Sequence, residues 1–152
     1  MYRTKYRVQF LNGDNTVIYT DWIFENEGAE DPFITGKVDT PKKTSTAQYH
    51  FAYSNWIEDF SNITQPTDIT SAYSEFLRDY PVYFYNDDIC LQETQEYYGN
   101  YASYQGDETA IKKIIGGEES PYYEFAYWSP SLDEPIVGPT YYYAQYVFDG
   151  EI

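Results

Sequence analysis

Adjacent carboxylates recur along the chain as Glu58-Asp59, Asp87-Asp88, Glu118-Glu119 and Asp133-Glu134. Two carboxyls held across a cleft can perform acid–base or glycoside chemistry. Neighbours on an extended chain, however, point to opposite faces, and each pair falls in an expected turn or at a strand end, where a solvated turn explains it. Asp and Asn oxygens in loops are also natural calcium ligands, yet neither Asn12-Gly13-Asp14-Asn15 nor Asn86-Asp87-Asp88 has the spacing of a helix-loop-helix calcium loop. His50, the single histidine, stands between Tyr49 and Phe51 on an expected strand, with no triad pattern around it. Cys90, the single cysteine, reads as a small, half-buried strand residue rather than a nucleophile. One Cys and one His cannot build a Cys/His zinc site. Asn62-Ile63-Thr64 is a formal glycosylation sequon with no secretion signal to support it. Gly116-Gly117 ends an element instead of opening a phosphate-binding helix. These residues lead to the expectation of a protein that is not an enzyme, with no catalytic residue, no cofactor and no metal.

Tyrosine is the residue type in excess, with 20 Tyr beside 9 Phe and 3 Trp in 152 residues. Tyr83 and Tyr85 alternate with Val82 and Phe84, and Tyr141 and Tyr143 flank Tyr142 ahead of Ala144. On a strand this alternation sends one set of rings away from the core. Rigid, amphipathic Tyr side chains are enriched in contact surfaces, which makes Tyr83, Tyr85, Tyr141 and Tyr143 the candidate interface for a protein or a glycan.

The elements that must carry these residues are strands. Aromatic and β-branched residues outweigh Leu and Ala, and an aromatic share of 21% separates the chain from disordered acidic tails despite a mean hydropathy of −0.66. With 9 basic against 25 acidic side chains, the formal charge is −16. That balance offers nothing to neutralise phosphates or anionic headgroups, so neither nucleic acid nor membrane insertion is expected. No run reaches the length of a membrane span, and no signal peptide is visible.

The chain also repeats itself. Tyr6, Val8, Phe10, Asn12 and Asp14 match Tyr80, Val82, Phe84, Asn86 and Asp88 at an offset of 74 residues, and Phe51-x-Tyr53-x-x-Trp56 matches Tyr123-x-Phe125-x-x-Trp128 at 72. Ile63, Pro66 and Thr67 match Ile136, Pro139 and Thr140 at 73. Two tandem modules are expected, 1–78 and 79–152. Each has about four strands: Lys5–Leu11 or Tyr80–Tyr85, Thr16–Phe24 or Ile89–Tyr98, Tyr49–Trp56 or Tyr122–Trp128, and Asp68–Phe76 or Thr140–Phe148. Asp107, Lys112, Lys113 and Gly116 carry N-cap, last-turn and C′ signals, which predicts one short helix in the second module. The second module is the more acidic, with 2 basic and 13 acidic side chains from residue 80 on, against 7 and 12 before it.

On these motifs the chain resembles the internalin-type B-repeat, a small β-grasp-like module. The matching residues are Tyr6, Val8 and Phe10, Thr40-Pro41, Tyr53-Ser54-Asn55-Trp56, Asn62-Ile63-Thr64 and Ala72-Tyr73, then Tyr80, Val82, Phe84, Trp128 and Ala144-Gln145-Tyr146. The glycine that usually precedes the tryptophan is Asn55 and Tyr127 here. The resemblance implies a mostly β fold of two β-grasp-like modules. It also implies a place among Gram-positive surface proteins or tailed-bacteriophage virion proteins. A chain that starts at Met1 without an export signal favours the virion, assembled in the host cytoplasm. The expected function is therefore a capsid decoration, neck, tail or baseplate component present in many copies and docked on other virion proteins. The alternative is an adhesion module that meets a host-surface glycan.

Overall fold

The computed structural model describes residues 2–150, and the protein is mostly β. Eleven strands run in chain order: β1 Lys5–Leu11, β2 Val17–Phe24, β3 Tyr49–Trp56, β4 Thr67–Ile69, β5 Ser71–Leu77, β6 Asp79–Asn86, β7 Ile89–Tyr97, β8 Ile114–Ile115, β9 Glu118–Glu119, β10 Tyr123–Ser129 and β11 Thr140–Phe148. They form two compact units, Met1–Phe76 and Leu77–Ile152.

In the first unit β1 pairs antiparallel with β2 and parallel with β4, giving the order β2-β1-β4, while β3 pairs with β5. Thr70 alone separates β4 from β5. Its amide and hydroxyl turn to Glu58 Oε1, at 2.6 and 2.7 Å, instead of continuing the ladder. The β1–β2 turn closes through Asn12 N to Thr16 O at 2.8 Å, with Asn15 at a φ of 67°. Asn reaches that left-handed conformation at low cost. In the core, Phe10 meets Trp56 edge to face at 5.0 Å, with Val8, Ile63 and Ile69 around them.

The second unit has an unbroken sheet, β10-β11-β6-β7, with β6 and β11 parallel at its centre. Its core repeats the first: Phe84 meets Trp128 edge to face at 4.9 Å, among Val82, Ile136 and Tyr142. The loop before the last strand is fastened in the same way in both units. Asn26 N donates to Ile63 O and Ile63 N to Glu27 O, both at 2.8 Å; Gly99 N donates to Ile136 O and Ile136 N to Asn100 O, both at 2.7 Å. Full burial of each large apolar side chain contributes about 1.5–3 kcal/mol, which is how 76 residues sustain a core.

The short helix expected across 107–116 is not formed. A single 3₁₀ turn, Glu108–Ala110, is capped by Asp107, whose carboxylate accepts from Thr109 N at 3.0 Å. Ile111 then drops into the core. Next, Ile114–Ile115 folds back on Glu118–Glu119 through Gly116 and Gly117, at φ of 62° and 83°. Two glycines at positive φ between short strands make a hairpin turn, so the signal read as a helix C-terminus belongs to a hairpin. The expected count of four strands per unit rises accordingly, through β8 and β9 here and the break at Thr70 in the first unit.

Candidate docking surface

The parallel pairing of β6 with β11 sets Tyr83 beside Tyr141 and Tyr85 beside Tyr143. Val82, Phe84, Tyr142 and Ala144 take the core side, so by the alternation of strands the four intervening rings stand on the opposite face. There they form a ladder: Tyr83 and Tyr141 stack at 4.9 Å with planes 11° apart, and Tyr85 and Tyr143 at 5.6 Å and 19°. Diagonal contacts join the rungs, Tyr85 to Tyr141 at 6.4 Å and Tyr83 to Tyr85 at 6.1 Å. Coplanar rings lying edge to edge could not approach so closely, so each ring covers part of its neighbour's face. Tyr141 and Tyr143 are still 47% and 46% exposed.

Partial desolvation raises the Tyr83 phenol above its ordinary value, and the Glu93 carboxylate opposite it adds to the rise. Tyr85 is raised by the same desolvation, with Cys90 the next contributor. Both hydroxyls therefore remain neutral donors and acceptors at physiological pH. The register places Asp79, Glu93 and Glu124 on this face; its strands carry no Lys or Arg, and the Lys112 charge acts on Glu124. At the hairpin end an open hollow is lined by Tyr85, Tyr143, Asp87 and Asp88.

The first unit supplies an internal comparison. Gln9 pairs with Asp68 where Tyr83 pairs with Tyr141, as fixed by the flanking pairs Val8 with Thr67 and Val82 with Thr140. One step on, Leu11 and Thr70 take the places of Tyr85 and Tyr143. The same topology thus forms without a ladder, so the shared fold does not require those rings.

The remaining chemical candidates are dispersed. Asp87 and Asp88 occupy the β6–β7 turn, Glu118 and Glu119 form β9, and Asp133 and Glu134 follow β10 in a turn. Glu58 is held by Thr70, and Asp59 caps the amide of Ser61 at 2.8 Å. Among the described residues no three His, Cys, Asp or Glu side chains are grouped to hold a metal ion. His50 is exposed, with its ring 5.3 Å from Phe76. Cys90 is exposed rather than half-buried, because the register shift between Phe84 and Tyr85 lifts it to the outer face opposite Tyr85.

Two acidic residues outside the candidate set prove to be structural. Asp31 Oδ1 accepts the indole N–H of Trp56 at 2.9 Å, and Glu108 Oε2 accepts that of Trp128 at 2.8 Å. A buried tryptophan needs a partner for its one polar atom, which was the available signal. Searches of protein-family models, curated proteins and solved structures found no match to this chain.

Proposed function

We propose that this chain is a non-enzymatic structural protein of a tailed-phage particle, docked on neighbouring virion proteins through the tyrosine ladder of its second unit. The observation that carries the docking reading is the contrast between the two units: Gln9, Leu11, Asp68 and Thr70 build in the first what Tyr83, Tyr85, Tyr141 and Tyr143 replace in the second. Four stacked rings on a sheet face are rigid and lose little side-chain entropy on contact, which suits an interface core. In a particle with many copies, weak contacts add up through multivalency. The virion setting rests on the resemblance to the internalin-type B-repeat.

The alternative, a glycan-binding module, is less well served by this geometry. A sugar ring stacks on an open aromatic face, whereas each of these rings has one face taken up by its partner, at 4.9 and 5.6 Å.

Mass spectrometry of purified particles tests the proposal: the chain is expected in mature virions at a fixed ratio to the capsid or tail proteins. Phage carrying Tyr83→Gln with Tyr143→Thr should assemble particles depleted of it. Absence from virions removes the virion reading, and undiminished incorporation of the variant removes the ladder from it.

A further inference from the structure

The first unit carries, on the same side of its sheet, a surface that complements the ladder. Lys5 and Arg7 alternate with the core residues Tyr6 and Val8 along β1, and Arg7 pairs across the sheet with Trp22 of β2, which is 57% exposed. Arg3 is engaged by Glu27 at 2.7 Å, and both Arg3 and Lys5 lie over the Phe24 ring, at 4.0 and 4.5 Å. Arg7 has neither a carboxylate nor a ring partner among the described residues. The one acid the register puts on this face, Asp68, pairs with Gln9 and lies a diagonal step from Arg7 without bridging it. The ladder face of the second unit is the converse: acidic at Asp79 and Glu93, with Asp87 and Asp88 at its end and no Lys or Arg in its strands.

Spacing agrees as well as charge. Lys5 and Arg7 sit two residues apart on one strand, as do Tyr83 and Tyr85, so both rows repeat at roughly 6.6 Å. Two sheets packed face to face, with strands roughly aligned and about 10 Å apart, bring such rows into register. Tyr hydroxyls and carboxylates then accept from the guanidinium and ammonium groups, and the Trp22 indole covers ring edges.

We propose that the neighbour seated on the tyrosine ladder is a second copy of this chain, presenting the Lys5, Arg7 and Trp22 face of its first unit. This rests on the docking role given to the ladder above and names its occupant. Such a contact joins unlike faces, so it propagates head to tail into a ring or an open row rather than stopping at a symmetric dimer.

Sedimentation velocity of the purified full-length chain decides the matter. The wild type should associate beyond the dimer as concentration rises, and roughly a tenfold weakening is expected from low to high salt because the contact is charge-assisted. Tyr83→Gln with Tyr143→Thr, which installs the residues the first unit already uses, should remain monomeric. Lys5→Glu with Arg7→Glu should as well, with Lys5→Gln and Arg7→Gln in its place if the charge reversal disturbs folding. Unchanged thermal unfolding shows that each variant is folded. Each keeps one intact face, so an equimolar mixture of the two should give one-to-one dimers and nothing larger. A wild type that stays monomeric at every concentration, a mixture that stays monomeric, or a variant that associates like the wild type overturns the proposal. Ladder-dependent incorporation into particles by a chain that is monomeric alone would leave docking in place and assign the ladder to a different protein.

Discussion

The indole N–H of Trp56 donates to Asp31 Oδ1 at 2.9 Å, tying the tryptophan that closes the first core to the connection that crosses over it. In the second unit Trp128 makes the corresponding bond to Glu108, so a buried aromatic is held through its polar edge in both. The two acids differ in how much else they do. Asp31 is half-buried and also accepts from Phe33 N at 2.9 Å and Ile34 N at 3.3 Å, while Glu108 is exposed. Asp31→Ala should therefore cost about 2–3 kcal/mol and Glu108→Ala about 1 kcal/mol, since water can replace the second partner but not all the bonds of the first. Urea unfolding followed by tryptophan emission measures both, and equal costs would contradict the ranking.

Acid should weaken the first unit through Glu58. Burial pushes its carboxyl up, but the bonds from the Thr70 amide and hydroxyl outweigh that and hold it below the ordinary value of 4.5. A carboxyl lowered on folding stabilises the folded state above its unfolded pKa, and that contribution disappears as pH falls from about 4.5 downward. Glu58→Gln should be about 1 kcal/mol less stable at neutral pH, with a flatter loss of stability below pH about 4.5. An acid titration of unfolding midpoints reads both effects.

Base should act through Tyr53. Burial, followed by the charges of Asp31 and Tyr73, pushes its phenol up to about 12 from 10.0. A phenol raised on folding stabilises the folded state below the unfolded pKa of 10.0, and the contribution is lost as pH rises from there through about 12. In a spectrophotometric titration Tyr53→Phe should remove one of the latest-titrating phenols. Its stability should fall less steeply above pH about 10 than that of the wild type.

The hairpin that replaces the expected helix depends on Gly116 and Gly117, both at positive φ with open space at their Cβ positions. Strain alone therefore sets the cost of substitution. Gly117→Val should destabilise by about 1–2 kcal/mol, whereas Gly116→Asn should be close to neutral because Asn tolerates left-handed backbone. Hydrogen exchange at Ile114 and Ile115 reports the loosening locally.

Much of each core is legible in the sequence. The alternation in Tyr6-Arg7-Val8-Gln9-Phe10 and Tyr80-Pro81-Val82-Tyr83-Phe84 marks which side chains turn inward, and Val8, Phe10, Val82 and Phe84 are fully buried. Period-two patterning is a property of one strand and its own residues. The hairpin at Gly116-Gly117 was misread because capping signals and turn signals share residue types, and burial of Ile111 after a single turn broke the helical continuation. The break at Thr70 lay beyond sequence reasoning, because its cause is Glu58, twelve residues earlier and across the sheet.

Sequence alone determined a mostly β chain, a repeated set of inward-facing residues, and four tyrosines that must lie off the core. Tertiary structure decided that those four meet. Tyr83 and Tyr141 lie 58 residues apart, and only the parallel docking of β11 against β6, in a register chosen by packing Tyr142 on Phe84 at 4.9 Å, brings their rings into one stack. Alternation is local and survives in the sequence, whereas register between distant strands is set by how the two buried faces fit.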